Sequence, residues 1–491
     1  MKRIFVSAFL FACLLASAQK NTLLNGNFWK NNPSITLVKE EISKGNNPAE
    51  ANGGNHDIVS IAINNGADNE IVKYLIDQPG NSIDKTTHDG RLYIHWAANK
   101  GNIELVKYLI DKGSKLNRTD DKGATPLAFA AGNGQLNSQI YDLFFKAGID
   151  VKATYKDGAT LLHLVAPYDT DFSISSYLIN KGLDLKATDN LGRTAFDYAA
   201  RTGNTQILQN LLNKGVKPTG HALIIASQGG RSSSNTLETY KFLVETVKLK
   251  ANATGENGEN VLFNLVRKKD QSEIITYFLS KKVDVNAVDK SGTNAFMIAA
   301  STTNLDVVKQ LLPKVKNINI INTKGETALY FAAQKGSSEI LSYLIEKGAK
   351  TDLVSKNGNL AFALVSAYKA PRPGDNSNEF KNKLAILSAK GVDFSAKSDG
   401  SSLYHVAVAK NDIELFKALD GLKIDVNAKD QDGMTPLHRA AMMAKNDVVL
   451  KYLVEKGANK TVMTEFDETA FDLASDNEYL KQQNVKVDFL K

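Results

Sequence analysis

The apolar residues of this chain recur at helical spacing in short, regularly placed segments. In residues 432–459, "DGMTPLHRAAMMAKNDVVLKYLVEKGAN", the apolar positions that share one helix face are Val448, Val449, Tyr452 and Leu453. An earlier helix is predicted to begin at Thr435, which suits an N-cap, and Pro436, whose missing N–H costs nothing at the first helical position. Gly457 suits the left-handed residue that ends the second helix. The stretch therefore predicts two helices joined by a loop, followed by an extended finger.

Copies of this stretch follow one another along almost the whole chain. Most are 33 to 35 residues apart, and their turn glycines are Gly90, Gly123, Gly158, Gly192, Gly258, Gly292, Gly325, Gly358, Gly400 and Gly433. The long step from Gly192 to Gly258 predicts a degenerate copy that begins near Thr219. Further copies begin at Gly54 and, with aspartate in place of glycine, at Asp467. The sequence thus predicts thirteen units, preceded by a fourteenth, polar-faced cap in "NFWKNNPSITLVKEEISKGN".

The wording of the repeat resembles the ankyrin family, whose signature is a Thr-Pro-Leu-His run followed by paired alanines. Thr435-Pro436-Leu437-His438 keeps this run whole, and Thr125-Pro126-Leu127 keeps most of it. The resemblance covers roughly residues 21 to 480. It implies an all-α solenoid of stacked helix pairs with short β-hairpin fingers, in which each unit buries its apolar faces against its neighbours. Three separate domains, which the length alone would favour, are then unnecessary.

The N-terminal residues predict export. Lys2 and Arg3 precede an apolar run from Ile4 to Leu15, and Ala16-Ser17-Ala18 forms a cleavage signal. The predicted organisation is therefore a signal peptide (1–18), a linker with a capping repeat (19–53), the repeat solenoid (54–475) and a C-terminal cap (476–491). The protein is expected to be periplasmic or secreted. A lipoprotein anchored at Cys13, the only cysteine, is the minor alternative.

Two insertions and one deletion interrupt the repeat. The finger between Gly215 and Leu223 is about six residues shorter than its counterpart, which predicts a gap in the row of fingers or a bend. Residues 228–238, "QGGRSSSNTLE", and residues 369–380, "KAPRPGDNSNEF", lengthen two copies between their helices. Their glycine, proline, serine and asparagine content predicts exposed loops.

The net charge of the chain helps to distinguish between a protein partner and a nucleic-acid partner. The formal net charge is +7 and the pI is near 9.0, and loss of Lys2 and Arg3 with the signal lowers the charge to +5 (7 − 2). This charge is low for a dedicated nucleic-acid binder of such length. The sequence favours an acidic protein partner over nucleic acid, and it contains no other segment long enough to span a membrane.

The histidines do not form a catalytic or metal-binding pattern. Four of the seven occupy the same place in the repeat: His95, His163, His405 and His438. In the ankyrin family this histidine binds the backbone of the finger and braces neighbouring units. Residues one repeat apart lie in successive layers, whereas zinc requires three or four converging ligands. No cofactor motif is present, and aspartates before the turn glycines, such as Asp289 and Asp432, are explained as turn formers.

The candidate binding residues lie near the end of the first helix of each unit. In ankyrin proteins the finger tips and first helices line a concave groove that grips partner proteins. The residues expected to border it here are Lys100, Tyr168, Lys268, Lys335, Tyr368 and Lys410, with Arg201 and Arg267 one place earlier. Aromatic and arginine side chains are enriched at interfaces, although cations also favour helix C-termini for electrostatic reasons alone. Aromatic residues that precede the alanine pair, such as Trp96 and Phe129, are expected to pack between units.

The sequence therefore favours an exported, non-catalytic scaffold that binds a partner protein through its concave groove and finger tips. The alternative is an enzyme hosted in the groove and acting on an exported polymer or small molecule. That alternative requires titratable groups to converge from adjacent repeats, and the spacing of the motifs shows none.

Overall fold

The computed structural model describes residues 21–230, 234–372 and 377–491. The predicted signal peptide, with Cys13, lies outside the described residues, as do the centres of both insertions. The chain divides into two compact units of several repeats each: the first unit extends to Ala222, and the second unit begins at Leu223. This boundary falls in the degenerate copy, directly after the shortened finger. No helix in the described part of the chain has the length and apolar character to cross a membrane.

The described residues form 28 α-helices, which follow one another as fourteen pairs. The six pairs before the boundary are α1 (Gly26–Lys30) with α2 (Ile35–Ser43), α3 (Ile58–Asn64) with α4 (Asn69–Ile76), α5 (Tyr93–Asn99) with α6 (Ile103–Asp111), α7 (Pro126–Ala131) with α8 (Ser138–Lys146), α9 (Leu161–Val165) with α10 (Ser173–Asn180), and α11 (Ala195–Ala199) with α12 (Thr205–Asn213). The number of pairs agrees with the thirteen predicted units and their N-terminal cap.

Helix α13 (His221–Gln228) contains the boundary and pairs with α14 (Leu237–Lys241), which continues as a π-helical turn over Phe242–Thr246. The later pairs are α15 (Leu262–Leu265) with α16 (Ser272–Ser280), α17 (Ala295–Ala300) with α18 (Leu305–Leu311), α19 (Ala328–Gln334) with α20 (Ser338–Glu346), α21 (Leu360–Ser366) with α22 (Glu379–Ala389), α23 (Leu403–Lys410) with α24 (Ile413–Ala418), α25 (Pro436–Met443) with α26 (Val448–Glu455), and α27 (Ala470–Asp476) with α28 (Glu478–Gln482).

Local sequence sets the helix ends as the repeat pattern predicts. Thr435 caps α25, since its hydroxyl accepts a hydrogen bond from the N–H of His438 at 3.3 Å. Pro436 occupies the first turn of that helix. Gly457 ends α26 with φ of 89°, a conformation that costs glycine little and other residues more. The two helices therefore begin and end where the sequence predicts.

The pairs stack in two layers within each unit. First helices pack on first helices, as α5 on α7 and α19 on α21, and second helices pack likewise, as α6 on α8. The paired alanines Ala97 and Ala98 of α5 are fully buried. Helices this short are not stable in isolation, so their stability comes from packing against neighbours. Each fully buried Leu or Ile contributes about 1.5–3 kcal/mol to this packing.

The predicted β-hairpin fingers are not present as paired strands. Among residues 21–230, 234–372 and 377–491 no β-strand forms, and the fingers are tight turns, five of which carry one isolated antiparallel bridge. In the finger around Gly292, the N–H of Gly292 donates to Asp289 O at 2.8 Å and the N–H of Asp289 donates to Thr293 O at 2.9 Å. The arms between turn and helix are too short to extend this pairing into a ladder.

The insertions are only partly the exposed loops that the sequence predicts. Asn235 is buried, and its side chain donates to Ala226 O at 2.9 Å. Glu379 begins α22 and accepts a hydrogen bond from the N–H of Ser338 at 2.7 Å. The prediction of exposure is wrong at Asn235, whereas Glu379 is exposed as predicted but belongs to a helix rather than a loop. Both side chains satisfy backbone groups at neighbouring helix ends.

Candidate functional site

The four histidines that share one position in the repeat, here called the register histidines, link successive repeats. The ring Nδ1 of His438 accepts from the N–H of Thr435 at 3.1 Å, and its Nε2 donates to Val462 O at 2.9 Å. His95, His163 and His405 make the same two contacts, with Nε2 reaching Ala124 O, Ala187 O and Met434 O. Burial lowers the pKa of each ring, that of His95 to about 4. The neutral imidazole therefore bridges a helix start and the following finger, as the family resemblance implies.

In the repeat before the degenerate copy, Asp197 occupies the position that histidine holds in four other repeats. Its carboxylate accepts from the N–H of Thr194 at 2.8 Å, and from the N–H and hydroxyl of Thr219, each at 2.9 Å. The carboxylate thus links a helix start to the next turn, as a histidine does, but it accepts every hydrogen bond. The repeat register places Asp197 in line with the histidines, so the sequence held the signal that could have identified it.

Three candidate residues hydrogen-bond to the preceding repeat. Tyr168 donates its hydroxyl to Gly132 O at 3.1 Å, Lys268 donates to Gln228 O at 2.7 Å, and Lys410 donates to Ser366 O at 2.6 Å. Each acceptor lies at the C-terminal end of the first helix one unit earlier, where carbonyls lack helical partners. Burial lowers the pKa of Lys268. These side chains therefore satisfy orphan carbonyls of the fold.

Replacement of Tyr168 by phenylalanine is expected to lower the stability of the first unit by about 1 kcal/mol, the usual contribution of one such hydrogen bond. The ring stays in place, and only the hydroxyl bond to Gly132 is lost. Trp29 and Trp96 are the two tryptophans of the chain and both are buried in the first unit, so fluorescence-detected urea unfolding measures the effect. Unchanged stability would show that the hydroxyl does not serve the fold.

Tyr368 forms a hydrogen bond with the following repeat. Its hydroxyl donates to Asp412 at 2.7 Å, and its ring meets that of Phe380 edge-on at 4.9 Å. Burial, followed by the bond to Asp412, raises the pKa of the Tyr368 hydroxyl. The tyrosine borders a cleft with Phe380, Lys381 and Glu414.

Each of the two compact units also contains a cleft between finger turns and first helices. In the second unit Arg267 and Lys335 line one cleft of about 450 Å³, together with Glu259, Asp289 and Phe331. Both cations are exposed, and neither forms an ion pair with a described carboxylate. The structure therefore brings these two candidate residues together. Lys100 is exposed in the first unit.

The corresponding cleft of the first unit contains Arg201 and several residues that the sequence did not identify. Arg193 donates to Asp189 at 2.6 Å, to Asp157 at 3.0 Å and to the hydroxyl of Tyr198 at 3.0 Å. These side chains line the cleft or support its wall. Arg193 lies directly after the turn glycine Gly192, in the position that Arg91 holds three repeats earlier with respect to Gly90. Their shared position in the repeat could have identified both arginines as candidate site residues.

Of the aromatic residues before the alanine pair, Trp96 and Phe129 pack between repeats as expected, whereas Tyr198 and Phe331 line the two clefts. The rings of Trp96 and Phe129, which lie one repeat apart, pack edge-on with their centroids 5.6 Å apart. The guanidinium of Arg91 lies over both rings, 5.1 Å from Trp96 and 4.3 Å from Phe129. Arg91 is itself buried and donates to Asp120 at 2.9 Å. This stack of Arg91, Trp96 and Phe129 packs two successive repeats of the first unit against each other.

No group of three or more histidine, cysteine, aspartate or glutamate side chains within the described ranges is arranged to hold a metal ion. The acidic residues of the second-unit cleft serve its turns. Asp289 accepts hydrogen bonds from the N–H groups of Ser291 and Thr293, and Glu259 accepts from the N–H of Asn257. The cleft presents a ligand with two exposed cations, the ring of Phe331, and amide and hydroxyl side chains such as those of Asn264 and Ser301.

Comparison with known proteins places the architecture in a family. A family model described as "Ankyrin repeats (3 copies)" matches residues 59–155, 137–222, 223–322, 296–369 and 383–486. The chain is 30% identical over 150 residues to palmitoyltransferase AKR1 of Lachancea kluyveri, across 30% of this chain and 20% of that protein. It is 40% identical over 96 residues to protein phosphatase 1 regulatory subunit 12A of Rattus norvegicus, across 18% and 9%.

The chain therefore spans only a small part of the length of these relatives. Among solved structures, the human ASB11 ankyrin repeat domain is similar with a TM-score of 0.38 and 22% identity, over 45% of this chain and 96% of that chain. Since the family model matches most of its residues, the chain belongs to the ankyrin-repeat family.

Proposed function

We propose that this protein is a non-catalytic scaffold that binds a partner protein through its first helices and finger turns. The observation that carries the proposal is the second-unit cleft, where Arg267 and Lys335 stay exposed beside Phe331. Most neighbouring polar side chains serve the fold, whereas these two cations do not neutralise a described carboxylate. Arginine and aromatic side chains at the centre of a contact are typical of binding hot spots.

The partner that this cleft favours is an acidic protein. A carboxylate that enters between Arg267 and Lys335 gains charge-assisted hydrogen bonds, which are stronger than neutral ones. Both cations lie just after first helices, α15 and α19, so the backbone that presents them is already ordered and binding carries no large ordering cost. The regulatory subunit among the relatives is consistent with a role in binding.

Binding without catalysis follows from the use of the acidic groups. Asp289 and Glu259 accept turn hydrogen bonds, and the register histidines are buried between units. An enzyme in the groove would need such groups to converge on a substrate. Export to the periplasm or the medium is part of the proposal, and it rests on the N-terminal sequence pattern.

Affinity capture from extracytoplasmic fractions tests the proposal. The variant Arg267→Glu/Lys335→Glu is expected to lose the partner that the wild type captures, because both cations become repulsive to a carboxylate. Lys268 and Lys410 stay unchanged, since they bind backbone carbonyls of the fold. The matched control is Lys146→Glu/Lys390→Glu, which reverses exposed lysines at the C-terminal ends of the second helices α8 and α22.

Three results would count against the proposal. Capture of no reproducible partner by the wild type would contradict partner binding. Equal capture by the Arg267→Glu/Lys335→Glu variant would show that the cleft is not the binding site. Recovery of the protein only from the cytoplasm, with residues 1–18 intact, would contradict export.

A further inference from the structure

The finger turns of the second unit carry a row of exposed apolar side chains. Val288, Ile321 and Val354 occupy the same position in three consecutive copies, four residues before Gly292, Gly325 and Gly358. Their exposed fractions rise from 43% through 54% to 67%. Exposed residues at one repeated position form a line along the finger edge, and aligned apolar groups of this kind are more informative than scattered ones.

The first unit differs at this position. Its copies at Gly90, Gly123, Gly158 and Gly192 carry Thr86, Thr119, Thr154 and Thr188, all of them exposed, and the copy at Gly54 carries Glu50. Threonine keeps the branched β-carbon that extended backbone favours, so the local backbone does not require valine or isoleucine. The apolar line of the second unit is therefore a surface property and not a requirement of the turn.

Hydrogen bonds between successive turns hold this edge in register. The N–H of Lys290 donates to Asn257 O at 2.7 Å, that of Thr323 to Ser291 O at 2.8 Å, and that of Lys356 to Lys324 O at 2.8 Å. Each turn is also closed by its own backbone bonds. The row of side chains is consequently preorganised, which lowers the entropy cost of binding a partner along it.

The edge is also positively charged. The three linkers that contain the row, residues 281–294, 312–327 and 347–359, hold nine lysines against three aspartates and one glutamate. The lysines nearest to the apolar row are Lys290, Lys324 and Lys356. All three are exposed, and none pairs with a described carboxylate. An occupant must therefore supply both apolar side chains and negative charge.

We infer that this edge, defined as Val288, Ile321 and Val354 with Lys290, Lys324 and Lys356, binds an extended acidic segment of a protein partner. Apolar side chains of the segment cover the row, and its carboxylates pair with the lysines between them. The inference rests on the proposed function and names the chemistry of the segment that the finger turns take. A nucleic acid would match the lysines but would leave the apolar row without a partner.

Fluorescence anisotropy with short synthetic peptides tests the inference on the full chain. The probe is a labelled peptide in which glutamate alternates with valine. The comparison peptides replace valine with serine, or glutamate with lysine, and oligothymidylate serves as the nucleic-acid probe. We expect the glutamate–valine peptide to bind most tightly, with an affinity that falls as salt rises.

Two triple variants locate the site. Val288→Thr/Ile321→Thr/Val354→Thr introduces the residue that the first unit uses, and it is expected to weaken binding at least about tenfold. Lys290→Glu/Lys324→Glu/Lys356→Glu is expected to abolish binding. The control Ile103→Thr/Ile179→Thr/Val448→Thr removes three exposed β-branched residues, with exposed fractions of 36%, 38% and 44%, from the second helices α6, α10 and α26, and is expected to bind as the wild type does.

The inference is overturned if no peptide binds, if the glutamate–serine peptide binds equally well, if oligothymidylate binds more tightly, or if both triple variants bind normally. None of these results depends on the cleft at Arg267 and Lys335, which the capture experiment tests separately. Capture that depends on Arg267 and Lys335, together with failure of the peptide assay, would leave the proposed function standing and remove only the finger-edge inference.

Discussion

Replacing Gly336 with alanine is expected to destabilise the second unit by about 3 kcal/mol. Gly336 follows α19, and a Cβ at this residue would lie 2.2 Å from Ala300 O and 2.9 Å from Ala332 Cα. Both contacts are with backbone atoms of first helices, which have no alternative rotamer. The two helices must move apart to accept the methyl group, and the buried packing between them is lost.

Gly255→Ala provides the matched control in the same unit. A Cβ at Gly255 meets only the side chain of Glu259, the closest atom being its Oε1 at 2.3 Å, and a flexible carboxylate can rotate away. Hydrogen exchange at the amides of α17 and α19 measures the difference. We expect strong loss of protection in Gly336→Ala and little change in Gly255→Ala. A loss of less than about 1 kcal/mol in Gly336→Ala would show that α17 and α19 do not approach as closely as described.

Acidification from pH 7 to pH 5 is expected to cost the first unit about 2 kcal/mol through His95 alone. The unfolded imidazole takes up a proton near its ordinary pKa of about 6.5, whereas burial holds the pKa of the folded ring at about 4. Below about pH 6.5 the unfolded state therefore binds more protons than the folded state. The contribution of the neutral ring is complete above that pH and is lost as the pH falls towards 4.

His95→Gln distinguishes this titration from a general acid effect. Glutamine can accept and donate hydrogen bonds as the neutral ring does, but it does not titrate. Tryptophan fluorescence reports on the first unit, so the free energy of unfolding should fall less between pH 7 and pH 5 in the variant than in the wild type. Parallel pH profiles for the two proteins would contradict the role assigned to His95.

The repeat register made most of the fold predictable. Thr435, Pro436 and Gly457 act at short range, so their capping roles could be derived from one copy. The match between copies then supplied the number of helix pairs. Strand pairing in the fingers could not be derived in this way, since it depends on how far two arms extend beyond a turn such as that at Gly292.

The candidate site was less predictable because one register position serves different purposes in different copies. Lys268 and Lys335 occupy equivalent places, yet Lys268 binds the carbonyl of Gln228 and Lys335 stays exposed. Other copies satisfy the same kind of carbonyl from elsewhere, as Gln135 does for Ala98 and the buried Lys383 does for Gly336. The sequence of a single copy does not reveal which donor reaches the carbonyl.

Site-directed photo-crosslinking shows whether a captured partner contacts the surface formed by the first helices and the finger turns. A photoreactive residue is placed at Ser301, which lines the cleft and leaves Arg267 and Lys335 in place, or at Lys390, at the end of the second helix α22. We expect the captured partner to become attached at position 301 and not at position 390. Attachment at position 390 alone, or at neither position while the partner still binds, would contradict binding at this surface.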